Sequence, residues 1–192
     1  LYLYAKFEYL IICPLFVVFF AVVTRNDIKK RRPIVKHLVN ITWLVYSVCV
    51  VAITLFPIPI DKRLIQDLLM VNNKTINLNV LPFASIFPTL ASKDMSSIIR
   101  LLGGNILMFI PLGYLIPITL RKKDRFSKVV LLGLISSVII ELLQLIISYL
   151  VGYGYRIVDI DDIILNTVGT MLGFLIYKLT KPALIKLKFI NQ

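Results

Sequence analysis

Charge is scarce in this chain. Only 17% of its 192 residues are Asp, Glu, Lys or Arg, 58% are hydrophobic, and the mean hydropathy is +0.87. A soluble domain carries about a quarter charged residues. One of this length has too little interior to hide so much apolar surface. A soluble globular enzyme and a disordered chain are therefore excluded. Cysteine is limited to Cys13 and Cys49, both inside apolar runs, where a thiol behaves as a small hydrophobe. That excludes a disulfide scaffold, and the two have no metal-ligand spacing. His37 is the sole histidine and stands in a cationic loop, so no histidine-based catalytic motif is present. Acids number ten against twenty-two Lys and Arg.

What is abundant is the long apolar run. A helix needs about 20 apolar residues to cross the hydrocarbon core. Five stretches qualify, at about 7–24, 38–60, 98–120, 129–151 and 162–177. They predict an all-α, polytopic transmembrane helix bundle: a single membrane domain over 1–192, multi-pass in the cell membrane. The first stretch lacks a basic segment before it and a small-residue cleavage site after it, so it reads as an uncleaved anchor. The chain begins with Leu1, which reads as a trimmed, non-standard or incomplete start.

The cations predict the orientation. Arg25, Lys29, Lys30, Arg31, Arg32 and Lys36 follow the first stretch. Arg121, Lys122, Lys123, Arg125 and Lys128 follow the third, and Lys178, Lys181, Lys186 and Lys188 follow the fifth. Only Asp27 and Asp124 offset them on that side, whereas charges on the other side balance. The positive-inside rule makes the cationic side cytoplasmic, with the N-terminus outside and the C-terminus inside. Orientation and anionic headgroups account for the basicity, and no nucleic-acid partner is called for.

Polar residues within the spans mark a candidate site. A charged residue at mid-bilayer costs about 2.5–3.5 kcal/mol on insertion scales. Glu141 is the only one deep in a span, and Ser137, Gln144 and Ser148 share its helical face. Asp162, Asn166, Gly169 and Gly173 make a second stripe, whose Gly169–Gly173 spacing suits close helix approach. Asn105 lies in the third span, ahead of Pro111 and Pro117. The connector 152–161 adds Arg156, Asp159 and Asp161. These groups predict a polar hollow opening to the outside. The stretch 61–97, with Asn79 and the Leu81-Pro82-Phe83 run, reads as a loop, re-entrant or interfacial around 80–90. No internal repeat indicates an inverted-repeat transporter.

Four motifs in order resemble the VanZ-like family. They are Asn79-Val-Leu-Pro82-Phe83; Asn105-Ile-Leu-Met-Phe109-Ile-Pro111-Leu-Gly113; Glu141-Leu-Leu-Gln144; and Arg156-Ile-Val-Asp159-Ile-Asp-Asp162, running on to Asn166, Gly169 and Gly173. The resemblance covers about 78–177. It implies a link to low-level resistance to glycopeptides, teicoplanin and lipoglycopeptides especially, and brings no chemical mechanism with it. A housekeeping envelope role is also compatible with it. It maps ligand-binding positions onto Asn79, Asn105, Glu141, Gln144, Arg156, Asp159, Asp162 and Asn166.

The expected function is an envelope protein that lowers susceptibility to a lipid-tailed glycopeptide. Its partners would be membrane lipids and the antibiotic or a cell-wall precursor lipid. The alternative is an intramembrane enzyme acting on a lipid or precursor headgroup, with Glu141, Asp159 and Asp162 as catalytic candidates. No cofactor or metal is expected. A proton-coupled pump and a simple assembly partner remain open as further readings.

Overall fold

The computed structural model describes Arg25 and residues 34–72, 76, 78–120 and 125–187. The predicted first span, 7–24, lies outside them. The chain divides into two compact units, 1–58 and 59–192. Four described helices are long and apolar enough to cross a membrane.

In the first unit, helix α1 spans Ile34–Leu55. It has no charge beyond its first turn, which carries Lys36 and His37. It ends five residues before the apolar run does, because Pro57 lacks an N–H and disfavours helix in the residue before it. Thr42 and Thr54 return their hydroxyl protons to the carbonyls of Leu38 and Val50, as hydroxyls in an apolar helix must.

The second unit is built on three spans. Helix α4, Met95–Leu120, starts on an Asp94 cap and contains a π-helical stretch at Ile98–Gly103. The Ser97 hydroxyl and the Ser96 and Ser97 N–H groups hold the Asp94 carboxyl below the ordinary aspartate range. Helix α4 continues through Pro111 and Pro117, which membrane helices tolerate when neighbours satisfy the freed carbonyls. Helix α5, Phe126–Val151, stops at Gly152, whose φ of 71° suits glycine in a left-handed cap. Helix α6, Ile160–Lys186, is longer than its apolar stretch. Its last turns carry Lys178 and Lys181 laid over the Phe174 and Tyr177 rings.

Side-chain partners fix the directions. Asn105 meets Asp162 at one end of α4 and α6, while Tyr114 meets Tyr177 and Thr180 further along both. These two helices therefore run parallel. Ser137 of α5 meets Asn166, and Phe126 meets Phe174, so α5 runs antiparallel to α6. Glycines set the closeness. A methyl group at Gly113 would come within 2.0 Å of the Thr170 carbonyl oxygen, and one at Gly173 within 2.0 Å of that of Ile110. Backbones at such range need small residues.

The stretch 61–97 is more than a loop. It holds helix α2, Lys62–Asn72, the short strand β1, Leu78–Asn79, and helix α3, Ile86–Ala91. In α2 the half-buried Leu64, Ile65, Leu68 and Leu69 alternate with exposed Lys62, Arg63, Gln66 and Asp67 at helical spacing. Strand β1 pairs in parallel with β2, Val158–Asp159, placing Leu78 opposite Val158 and Asn79 opposite Asp159.

Candidate functional site

The ends of α4, α5 and α6 nearest Asp159 gather the polar residues. The α5 stripe is turned inward along its whole length: Ser137, Glu141, Gln144 and Ser148 are all buried. Its antiparallel packing on α6 brings Glu141 to the chain just before that helix, and a Glu141 carboxylate oxygen accepts the Asp159 N–H at 3.0 Å. A buried backbone donor needs such an acceptor.

Asp159 joins three elements. As the cap of α6 it accepts the Asp161 N–H at 2.9 Å. The same oxygen accepts the Asn79 amide at 2.8 Å, and its other oxygen accepts the Ser85 hydroxyl. Asn79 also donates to the Ser85 hydroxyl at 2.9 Å. The β1–β2 pairing sets Asn79 directly opposite Asp159, which is why the two side chains meet.

Asp161 is almost wholly buried and holds the backbone of the preceding segment. Its carboxylate accepts the N–H groups of Phe83, of Ser85 at 2.8 Å and of Ile86 at 3.1 Å. It thereby caps α3 from another part of the chain. The sequence places Asp161 in the polar connector but not among the eight ligand-binding positions, and it does not single out Ser85. Ser85 before an apolar run carried a faint capping signal, but a cap reaching across 76 residues has no local signature.

Asp162 and Asn105 form a separate pair, the Asn105 amide donating to the Asp162 carboxylate. Both are half-buried, and the Arg156 charge acts on Asp162. One turn deeper, the Asn166 amide nitrogen donates to the Ser137 hydroxyl at 2.8 Å, while its buried carbonyl oxygen accepts no hydrogen bond. Thr170 follows one turn further and bonds the Asn166 backbone carbonyl. Asp162, Asn166 and Thr170 thus continue the polar track along α6.

The eight sequence-derived positions divide accordingly. Asn79 and Asp159 bind each other and share the Ser85 hydroxyl. Glu141 supports Asp159. Asn105 and Asp162 face each other across α4 and α6, and Asn166 lies beneath them on Ser137. Gln144 is buried on the inner face of α5, and Arg156 is half-buried in the connector. One Glu141 oxygen accepts the Asp159 N–H, and one Asp162 oxygen accepts the Asn105 amide. Chemically the set can accept hydrogen bonds from a polar or cationic headgroup, while Arg156 can meet an anionic one.

No match was found among curated proteins or among solved structures. The VanZ/LLP1 family model matches residues 43–181, a longer stretch than the motifs alone cover, running from within α1 to the last turns of α6. With most of its length matched and its polar motifs gathered at one end of an apolar bundle, the chain belongs to the VanZ/LLP1 family.

Proposed function

We propose that this VanZ-family membrane protein acts in the bacterial cell envelope. There it lowers susceptibility to teicoplanin and related lipoglycopeptides, using the polar cluster of Glu141, Asp162, Asn105, Asn166 and Arg156 as its ligand contact. The observation that carries this reading is the Asn105–Asp162 pair. A half-buried carboxylate is held in place through one oxygen by an amide from another span, at the end of an apolar bundle. A drug with a lipid tail would bring its polar part to that depth. Asn79 and Asp159 support the site through Ser85 and Glu141, and Gln144 adds a buried amide on the Glu141 face of α5.

Deleting the gene is expected to raise teicoplanin susceptibility several-fold and vancomycin susceptibility much less. Asp162→Asn should reproduce the deletion at normal protein abundance. Equal shifts for both drugs, or a silent Asp162→Asn, would remove this reading.

Glu141 supports a second reading, an enzyme acting on a lipid or cell-wall precursor headgroup. It is an ionisable group buried within a span, with one oxygen engaged by a backbone N–H. Glu141→Gln keeps a carbonyl acceptor for that N–H but cannot shuttle a proton. Full activity of Glu141→Gln beside an inactive Asp162→Asn supports binding; an inactive but abundant Glu141→Gln supports turnover.

A further inference from the structure

The surface of residues 78–92 is apolar to an unusual degree for an exposed segment. Val80 and Leu81 are each 69% exposed and Phe87 65%, while Phe83 and Leu90 are close to half exposed. The Phe83 and Phe87 rings stack with centroids 5.5 Å apart. Scattered apolar residues on a surface need no explanation, but a contiguous patch does.

The polar atoms of the same segment are turned onto the protein itself. Asp161 accepts the N–H groups of Phe83, Ser85 and Ile86. The Ala84 N–H reaches the Leu81 carbonyl and the Phe87 N–H that of Phe83. Pro82 and Pro88 have no N–H to satisfy. The Ser85 hydroxyl is held by Asp159, while Thr89 and Ser92 return theirs to the carbonyls of Ser85 and Thr89. Phe83 adopts a φ of 67°, sterically unfavourable for an aromatic residue, with its N–H directed to Asp161. Apolar groups outward, with the backbone donors of 83–87 satisfied within the protein, is the pattern that contact with lipid demands.

Both anchors of the segment lie where spans begin. It is tied to Asp161 in the first turn of α6, and it leads through Lys93 and Asp94 directly into α4. Met95 and Ile99, 65% and 62% exposed, carry its apolar surface onto the flank of that span. Helix α3 has six residues, about 9 Å of length at 1.5 Å per residue. The midplane lies about 15 Å below the hydrocarbon boundary. We propose that residues 78–92 lie along the headgroup–acyl boundary of one leaflet. Phe83, Phe87 and Leu90 are set among the upper acyl chains, and the partner of this surface is the lipid itself.

Tryptophan depth measurements test this on the full chain in phosphatidylcholine nanodiscs, where both faces are open to solutes. Trp43, the only tryptophan, is changed to Phe, and Phe87→Trp or Leu90→Trp is introduced singly. For a segment buried about 5–10 Å into the interface, bromine near the headgroup end of the acyl chain should quench about twofold more than bromine near its tip. Iodide should quench little. Strong iodide quenching without a bromolipid effect would overturn the proposal, as would stronger quenching by the deep bromine, which would mean a re-entrant insertion. Quenching by none of these would place the segment against protein and overturn it as well. The two tryptophan positions keep the result readable if one variant fails to fold.

Discussion

Four carboxylates crowd one end of the bundle, yet their roles separate by what each accepts. Asp161 receives three backbone N–H groups, and Asp159 receives an N–H, an amide and a hydroxyl. Those two hold the 78–91 segment to α6. Asp162 receives one side-chain amide and is half-buried. A fold role for Asp161 and a ligand role for Asp162 make different predictions. Asp161→Ala would leave three donors unpaired near the membrane boundary and should cost about 3 kcal/mol or more. It should also open residues 80–92 to added protease. Asp161→Asn keeps one acceptor and should cost less. Thermal unfolding in detergent micelles, with limited proteolysis, reads both effects. Asp161→Ala with wild-type stability and protection would show that the clamp carries no weight.

At the scale of elements, the packing of α4 on α6 depends on missing side chains. Methyl groups at Gly113, Gly169 and Gly173 would lie 2.0–2.2 Å from carbonyl oxygens of the facing backbone, which cannot swing aside as a side chain can. Gly173→Ala should therefore push the helices apart and destabilise the unit by about 1–3 kcal/mol or more, as overpacking does. Gly104 has nothing within 4 Å of the equivalent position. Gly104→Ala should be neutral or stabilising by up to about 1 kcal/mol, since alanine favours helix. Unfolding in the same micelles compares the two. A Gly173→Ala protein as stable as the parent would contradict the close approach. The four-residue glycine spacing and the hydropathy of the spans are local signals, so a close approach by α6 is legible in the sequence, although its partner α4 is not. Helices α2 and α3 are hard to read from the sequence for the opposite reason. Neither is long enough to register as a span, and α3 owes its start to Asp161, 75 residues downstream. The inward face of the α5 stripe could be read from helical periodicity. The division of the acids between clamp and open pair could not, because it depends on the parallel β1–β2 contact, which two residues per strand do not announce.

Across the second unit as a whole, the balance of charge differs by end: one end gathers four carboxylates among cations such as Arg100 and Arg156, the other a run of cations. Glu141, Asp159, Asp161 and Asp162 sit where α4 and α6 begin and α5 finishes. Arg125, Lys128, Lys178, Lys181 and Lys186 belong to the opposite end, and Arg121, Lys122 and Lys123 add to it in sequence. Lys178 and Lys181 hold their ammonium groups over the Phe174 and Tyr177 rings, 5.4 and 6.0 Å from the centroids. Cations are retained on the cytoplasmic side during insertion and are drawn there by anionic lipid. The carboxylate end should therefore face outward, the side from which a lipid-tailed antibiotic arrives. Ile157, 54% exposed, and Leu187, 66% exposed, report the two ends without disturbing the polar cluster. In a background with Cys13 and Cys49 replaced by serine, Ile157→Cys should react with a membrane-impermeant maleimide in intact cells. Leu187→Cys should react only after the cells are permeabilised. The reverse pattern would put the carboxylates in the cytoplasm. An externally acting drug could then no longer reach Asp162 directly, even if the bundle itself stood unchanged.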